Sequence, residues 1–351
     1  NINKSFLQSK KRRSARLSNF FFNALETRER TAIAKGLSLL ESKSKKYEKD
    51  RNTLLEWIYN RPAVSARRIG ITGSPGVGKS SFIESIGQIL CDGGHRLAVL
   101  SIDPSSTLSG GSILGDQTRM TELSKRENAY IRPSPSSSIL GGVAGATRES
   151  IALFEALGYD YILIETVGVG QSETSVAQMT DLFLLLLLPG AGDSLQGIKR
   201  GVVEMADLIA VNKADGNKKE LAAETQRAYK RAIQLFPPKR SGWNTSLFSI
   251  SAIEHSGLLD LLSEIDKYFV FIAENNFLKE NRSRQALNWF DSSLNASLLE
   301  WINHFPNLSQ YIDKQRSWVA ANKMAPYMAA KQVMQWLSEH NTNIPPANSK
   351  T

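Results

Sequence analysis

Residues Ile69-Gly70-Ile71-Thr72-Gly73-Ser74-Pro75-Gly76-Val77-Gly78-Lys79-Ser80 carry the pattern G-x-x-x-x-G-K-S. β-branched residues precede it and the amphipathic run Ser81–Leu90 follows, so a strand must turn sharply into a helix here. The residue types follow from the task of cradling a phosphate. Glycines let the backbone turn until successive N–H groups face one anion, and the helix adds its positive N-terminal end. Gly73, Ser74, Gly76, Val77 and Gly78 would line the cradle, with Ser81 in the first helical turn beside it. Lys79 would reach the β- and γ-phosphates, and the Ser80 hydroxyl would ligate Mg²⁺. The chain therefore reads as a nucleotide-binding protein.

Beyond this loop, strands and helices alternate. Apolar runs at Arg68–Thr72, Arg96–Ile102, Tyr159–Glu165, Leu182–Leu188, Leu208–Asn212 and Leu247–Ser251 predict six strands, most of them separated by segments of helical length. The pattern predicts an α/β fold, a mostly parallel sheet with helices on both faces. Ligands of such sheets sit at the C-terminal strand ends, where Ser74–Ser80, Asp103, Glu165, Asn212–Asp215 and Ser251 fall. Helical spacing over residues 26–60 (Ile33, Leu37, Leu40, Leu54, Leu55, Ile58) predicts an N-terminal helical extension. Ala286–Phe305 and Ala325–Leu337 predict C-terminal helices, whose leucine and aromatic stripe suits packing within or between chains.

The net charge of +9 is unevenly distributed. Residues 1–68 hold 17 Lys/Arg against 6 Asp/Glu, and residues 69–351 hold 26 against 28. The basicity belongs to the first 25 residues and the extension. This arm reads as a solvated segment, a mitochondrial-type transit segment or a tether to a nucleic acid or an anionic surface. Cys91 is the single cysteine, so no disulfide forms within the chain, which suits a reducing compartment. The apolar run Leu182–Leu188 is too short to cross a bilayer and reads as a buried strand. Neither a membrane nor a nucleic acid is expected as a partner, and the expected location is cytoplasmic, or the mitochondrial matrix if the arm is a transit segment.

Asn212-Lys213-Ala214-Asp215 follows an apolar strand and fits N-K-x-D. An Asp so placed accepts both N1–H and the exocyclic amine of guanine, whereas adenine offers no such donor pair and would leave the acceptor unpaired. Ser251-Ala252, after the last strand, fits the loop whose backbone N–H meets guanine O6. Three acids are candidates for managing the metal. Glu165 ends a strand and is followed by Thr166-Val167-Gly168, with Gly168 placed for its N–H to meet the γ-phosphate. Asp103 also ends a strand, although Asp-Pro-Ser-Ser is good turn chemistry as well. Asp116 lies in a Gly/Ser-rich loop and reads equally as part of that loop. Gln171 lies where a Gln could orient water, but the glycines before it leave its position open.

Together, Gly73–Ser80, Ser101–Ser106, Ile164–Glu173, Pro189-Gly190-Ala191-Gly192-Asp193 and Asn212–Asp215 resemble the MeaB/ArgK/MMAA GTPases from about Arg28 to Lys267, and more loosely to Leu337. The resemblance implies a P-loop GTPase core over 67–272, flanked by a helical extension (26–66) and a C-terminal helical dimerisation region (273–340), with a basic arm (1–25) and a tail (341–351). It implies GTP or GDP with Mg²⁺ as ligands and a homodimer. The implied partner is an adenosylcobalamin-dependent mutase, methylmalonyl-CoA mutase or a relative, for which such proteins act as chaperones that couple hydrolysis to cofactor loading and protection. Asp103, Asp116 and Glu165 then correspond to the metal and switch acids. Asp193 and Lys199, in the mobile loop Pro189–Arg200, correspond to residues of mutase-stimulated hydrolysis. Two other readings are a metal-inserting GTPase of the nickel-chaperone type and a non-hydrolysing guanine-nucleotide switch that docks on a partner. The first is disfavoured by the solitary Cys91 and the scattered His95, His255, His304 and His340.

Overall fold

The computed structural model describes residues 19–42, 44–62, 66–102, 120–132, 140–166, 172–191, 200–303, 305 and 307–340. Seven parallel strands form one sheet: β1 (Arg67–Gly73), β2 (Leu97–Ile102), β3 (Ala129–Arg132), β4 (Tyr161–Thr166), β5 (Leu182–Leu187), β6 (Leu208–Val211) and β7 (Ser246–Ser249), in the order β3-β2-β4-β1-β5-β6-β7. The helices are α1 (Arg30–Glu41), α2 (Glu48–Tyr59), α3 (Lys79–Asp92), α4 (Thr121–Lys125), α5 (Leu140–Ala156), α6 (Ser172–Ala177), α7 (Arg200–Met205), α8 (Lys219–Ile233), α9 (Leu258–Glu274), α10 (Phe277–Asn303), α11 (Leu308–Ala320) and α12 (Pro326–His340). The chain divides into two compact units, Asn1–Ala286 and Leu287–Thr351.

The central strands are apolar throughout because both sheet faces are covered. In β5, Phe183, Leu185 and Leu187 point into one core with residues of α1, α2, α5 and α8, while Leu182, Leu184 and Leu186 point into the other with residues of α3 and α9. The N-terminal extension is thus a wall of the first core, with Leu25, Ile33, Leu37 and Leu54 fully buried. Helical backbone already covers residues 19–26, and Ala24 and Leu25 pack into that core, so the arm expected over 1–25 joins the fold before its end.

Two further elements depart from the expectation. β3 was not predicted: its four residues are too few for period-two alternation to register, and it lies at the sheet edge beside β2. α11 was not predicted either, because its sparse apolar positions follow Asn307, which takes a left-handed φ of 63°. α10 also begins earlier than the expected Ala286, at Phe277.

A buried ionic group ties the start of α10 to the sheet. Arg282 donates to both carboxylate oxygens of Asp181 (2.9 and 2.6 Å) and to the carbonyl of Ala66, while Arg68 pairs with Glu155 through two bonds of 2.8 and 2.7 Å. Within the second unit, Tyr311 stacks on Trp336 (5.3 Å between ring centroids), joining α11 to α12. The residues Leu287, Phe290, Leu294, Leu298 and Trp301, spaced along one side of α10, are all exposed. No described helix is long and apolar enough to cross a membrane.

Candidate functional site: a guanine-nucleotide pocket

The pocket begins where β1 ends. Gly73 lies against β5 so closely that a Cβ there would stand 2.6 Å from the carbonyl oxygen of Leu186, which leaves room for glycine only. The chain then turns, with the Val77 N–H donating to the Ser74 carbonyl (3.2 Å), and enters α3 through Gly78. Gly78 adopts φ +93°, and a Cβ there would meet the Asn212 amide nitrogen at 2.8 Å, so both backbone and neighbour require glycine. Val77 is fully buried and pins the loop to the core from inside.

Lys79, the first residue of α3, is buried, and its Nζ donates to the carbonyls of Gly73 (2.8 Å) and Ser74 (3.4 Å). The ammonium is therefore held inside the curve of the loop, where phosphate oxygens can take over these bonds. Ser80 Oγ donates to Glu165 Oε1 at 3.4 Å. Glu165 is buried in β4, in register with Ile71 of β1 and Ser101 of β2. One residue on, the hydroxyls of Thr166 and Thr72 bond at 3.0 Å and lock β4 to β1 at the mouth of the site. No sequence motif announces this pair. Ser81 lies exposed in the first turn of α3.

Asn212 follows β6 and binds two other loops. Its Nδ2 donates to the Val77 carbonyl (2.9 Å), and its Oδ1 accepts from the Ala252 N–H (3.1 Å). Lys213, held at φ +61°, donates to the Gly76 carbonyl at 2.7 Å. Asp215 Oδ2 accepts from Ser251 Oγ (2.7 Å), and Ser251 Oγ in turn accepts from the Glu254 N–H (3.1 Å). The Ser85 hydroxyl of α3 donates to the Ala252 carbonyl at 2.7 Å, a support that the motifs do not reveal. The glycine-rich loop, the N-K-x-D segment and the Ser-Ala loop thus form one hydrogen-bonded assembly.

Asp103, Asp116, Gly168, Gln171, Asp193 and Lys199 lie outside the described residues. Among the described residues no three or more His, Cys, Asp or Glu side chains gather to hold a metal ion. Ser80 and Glu165 do place a hydroxyl and a carboxylate side by side at the end of the phosphate loop. Hard oxygen donors of this kind, completed by phosphate oxygens, fit Mg²⁺.

The family model described as methylmalonyl-CoA mutase-associated GTPase MeaB matches residues 33–306. The chain belongs to the MeaB family. Relatives include "GTPase ArgK" of Escherichia coli, 37% identical over 309 residues (88% of this chain, 93% of the relative). A "Probable GTPase" of Mycobacterium tuberculosis is 42% identical over 307 residues (88% and 91%). The mouse "Methylmalonic aciduria type A homolog, mitochondrial" is 39% identical over 323 residues (90% and 78%). Among solved structures, a LAO/AO transport system kinase superposes with a TM-score of 0.73 at 30% identity, covering 92% of this chain and 97% of that one. As a MeaB-family protein this chain is a GTPase.

Proposed function

We propose that this GTPase serves an adenosylcobalamin-dependent acyl-CoA mutase, methylmalonyl-CoA mutase or a relative, and that its GTP cycle gates cofactor loading and protects the loaded mutase. The observation that carries this reading is the match to the mutase-associated family across 33–306, which spans the whole nucleotide pocket. The name of the mouse relative, which ties it to methylmalonic aciduria, supports the same client.

In this reading Lys79 moves from the Gly73 and Ser74 carbonyls onto the β- and γ-phosphates, and the amides from Gly76 to Ser80 close around the β-phosphate. Ser80, Asp103, Asp116 and Glu165 hold Mg²⁺, which offsets phosphate charge when bound. Gly168 presents its N–H to the γ-phosphate. Asp215 reads the guanine N1–H and amine, with Ser251 fixing its carboxylate and the Ala252 N–H facing O6. Asp193 and Lys199 respond to the mutase by raising hydrolysis. The exposed apolar side of α10 supports a homodimer, since five large side chains in water are the usual mark of a surface that another chain covers.

GTP turnover measured with and without the mutase tests the proposal. The mutase should accelerate hydrolysis, and Lys199→Ala should blunt that acceleration. Turnover that no adenosylcobalamin-dependent mutase changes would overturn the chaperone reading while leaving the GTPase intact.

A further inference from the structure

A cavity of about 710 Å³ opens at the N-terminal ends of β5 and β6, away from the phosphate loop at the C-terminal end of β1. Its size is that of a small-molecule site. Phe183, Met205, Pro237 and Pro238 give it apolar walls, and the two prolines make one of those walls stiff.

The charges at its floor are already matched. Asp181, fully buried, is held by Arg282. Asp207 accepts from Lys239 at 3.1 Å, and the same ammonium donates to the carbonyls of Met205 (3.0 Å) and Ala206 (2.6 Å) at the end of α7. Burial pushes the Asp207 carboxyl up and Lys239 pulls it back down. The rim differs. Arg240 and Arg284 both line the cavity, and among the described residues neither takes part in an ion pair. Arg284 donates to the Asn281 side chain at 2.5 Å, a neutral partner. Partial burial and the charge of Arg240 both lower the proton affinity of Arg284, with Glu280 opposing them. Both guanidiniums thus line one partly apolar cavity, and the charge of Arg240 repels that of Arg284. The one remaining carboxylate of the lining, Glu204, is exposed to water. An anion between the two guanidiniums would convert that repulsion into two charge-assisted contacts.

We propose that this cavity binds a small organic anion, its phosphate or carboxylate group held between Arg240 and Arg284 and its apolar body against Phe183, Met205 and the Pro237-Pro238 wall. The site is separate from the nucleotide pocket and does not depend on the mutase reading.

The test is calorimetric titration of full-length protein saturated with GDP and Mg²⁺, so that the phosphate loop is already filled. Phenyl phosphate, benzoate, inorganic phosphate and benzyl alcohol are the probes. Phenyl phosphate or benzoate should bind, and the tighter of the two identifies the head group. Inorganic phosphate and benzyl alcohol should each bind at least about tenfold more weakly, since each lacks half of the recognition. Arg240→Ala and Arg284→Ala should each weaken the aromatic anion by about tenfold or more with GDP affinity unchanged, which also shows that the variants fold. The proposal is overturned if neither aromatic anion binds the GDP-loaded protein. It is equally overturned if the double variant binds them as wild type does, or if inorganic phosphate or benzyl alcohol binds as tightly as they do.

Discussion

Asn212 donates to Val77 and accepts from Ala252, so truncating it strands a carbonyl and an amide in two different loops. Asn212→Ala should lower stability by about 1–3 kcal/mol, the usual cost of leaving buried polar groups unpaired. It should also weaken GDP by a comparable factor, and urea melts paired with GDP titrations would measure both. A variant as stable and as tight as wild type would show that the three loops hold their places independently. Asp215, whose carboxylate is oriented by Ser251, is the residue proposed to read the base. Asp215→Asn replaces an acceptor with a donor, which suits the 2-oxo group of xanthine, so turnover should shift from GTP toward XTP. A variant that still prefers GTP would remove Asp215 from base recognition. At this scale the sequence was informative wherever chemistry demands a residue type in a fixed local pattern. The glycine–lysine–serine loop and N-K-x-D are such cases. It was silent on Thr72 with Thr166 and on Ser85 with Ala252, because hydroxyl partners far apart in the chain leave no local signature.

Among the elements, α5 carries the most evident pH dependence. Burial pushes the Glu149 carboxyl up to about 7 from an ordinary value of 4.5, with Arg51 of α2 pulling it back. The folded protein therefore retains a proton at Glu149 that the unfolded chain releases near 4.5. Stability from this group is greatest below that value, falls as pH rises through the window from 4.5 to about 7, and stays reduced above it. Glu149→Gln should be nearly neutral at pH 4.5 and stabilising by about 1–3 kcal/mol at pH 8, read from urea melts across that range. An equal effect at both ends would show that Glu149 titrates as an exposed carboxylate does. Element boundaries were the less legible part of the sequence. β5 declares itself with six consecutive buried apolar residues, whereas β3 owes its four-residue pairing to β2 and cannot be recognised without it. α10 is an intermediate case: its leucine stripe is visible from 287 onward. Its first turns are held by Arg282 on Asp181, a pairing of residues about a hundred positions apart.

For the molecule as a whole, association is the open physical quantity. Leu287, Phe290, Leu294, Leu298 and Trp301 are between 45 and 65% exposed, an apolar line that water alone does not favour. Sedimentation of the full chain should give a dimer, and Phe290→Glu with Leu294→Glu should give a monomer that still hydrolyses GTP. A monomeric wild type would leave this face for a different protein. The charge distribution is also a property of the whole chain, with the excess of Lys and Arg confined to residues 1–68 and a slight acidic excess after them. The side chain of Asn212, shared among three loops, has a historical consequence too. A lineage cannot exchange Asn212 without also loosening the loop at Val77 and the loop at Ala252, which its side chain joins. Asn212 should therefore be inherited conservatively, even in relatives whose base preference has changed through Asp215.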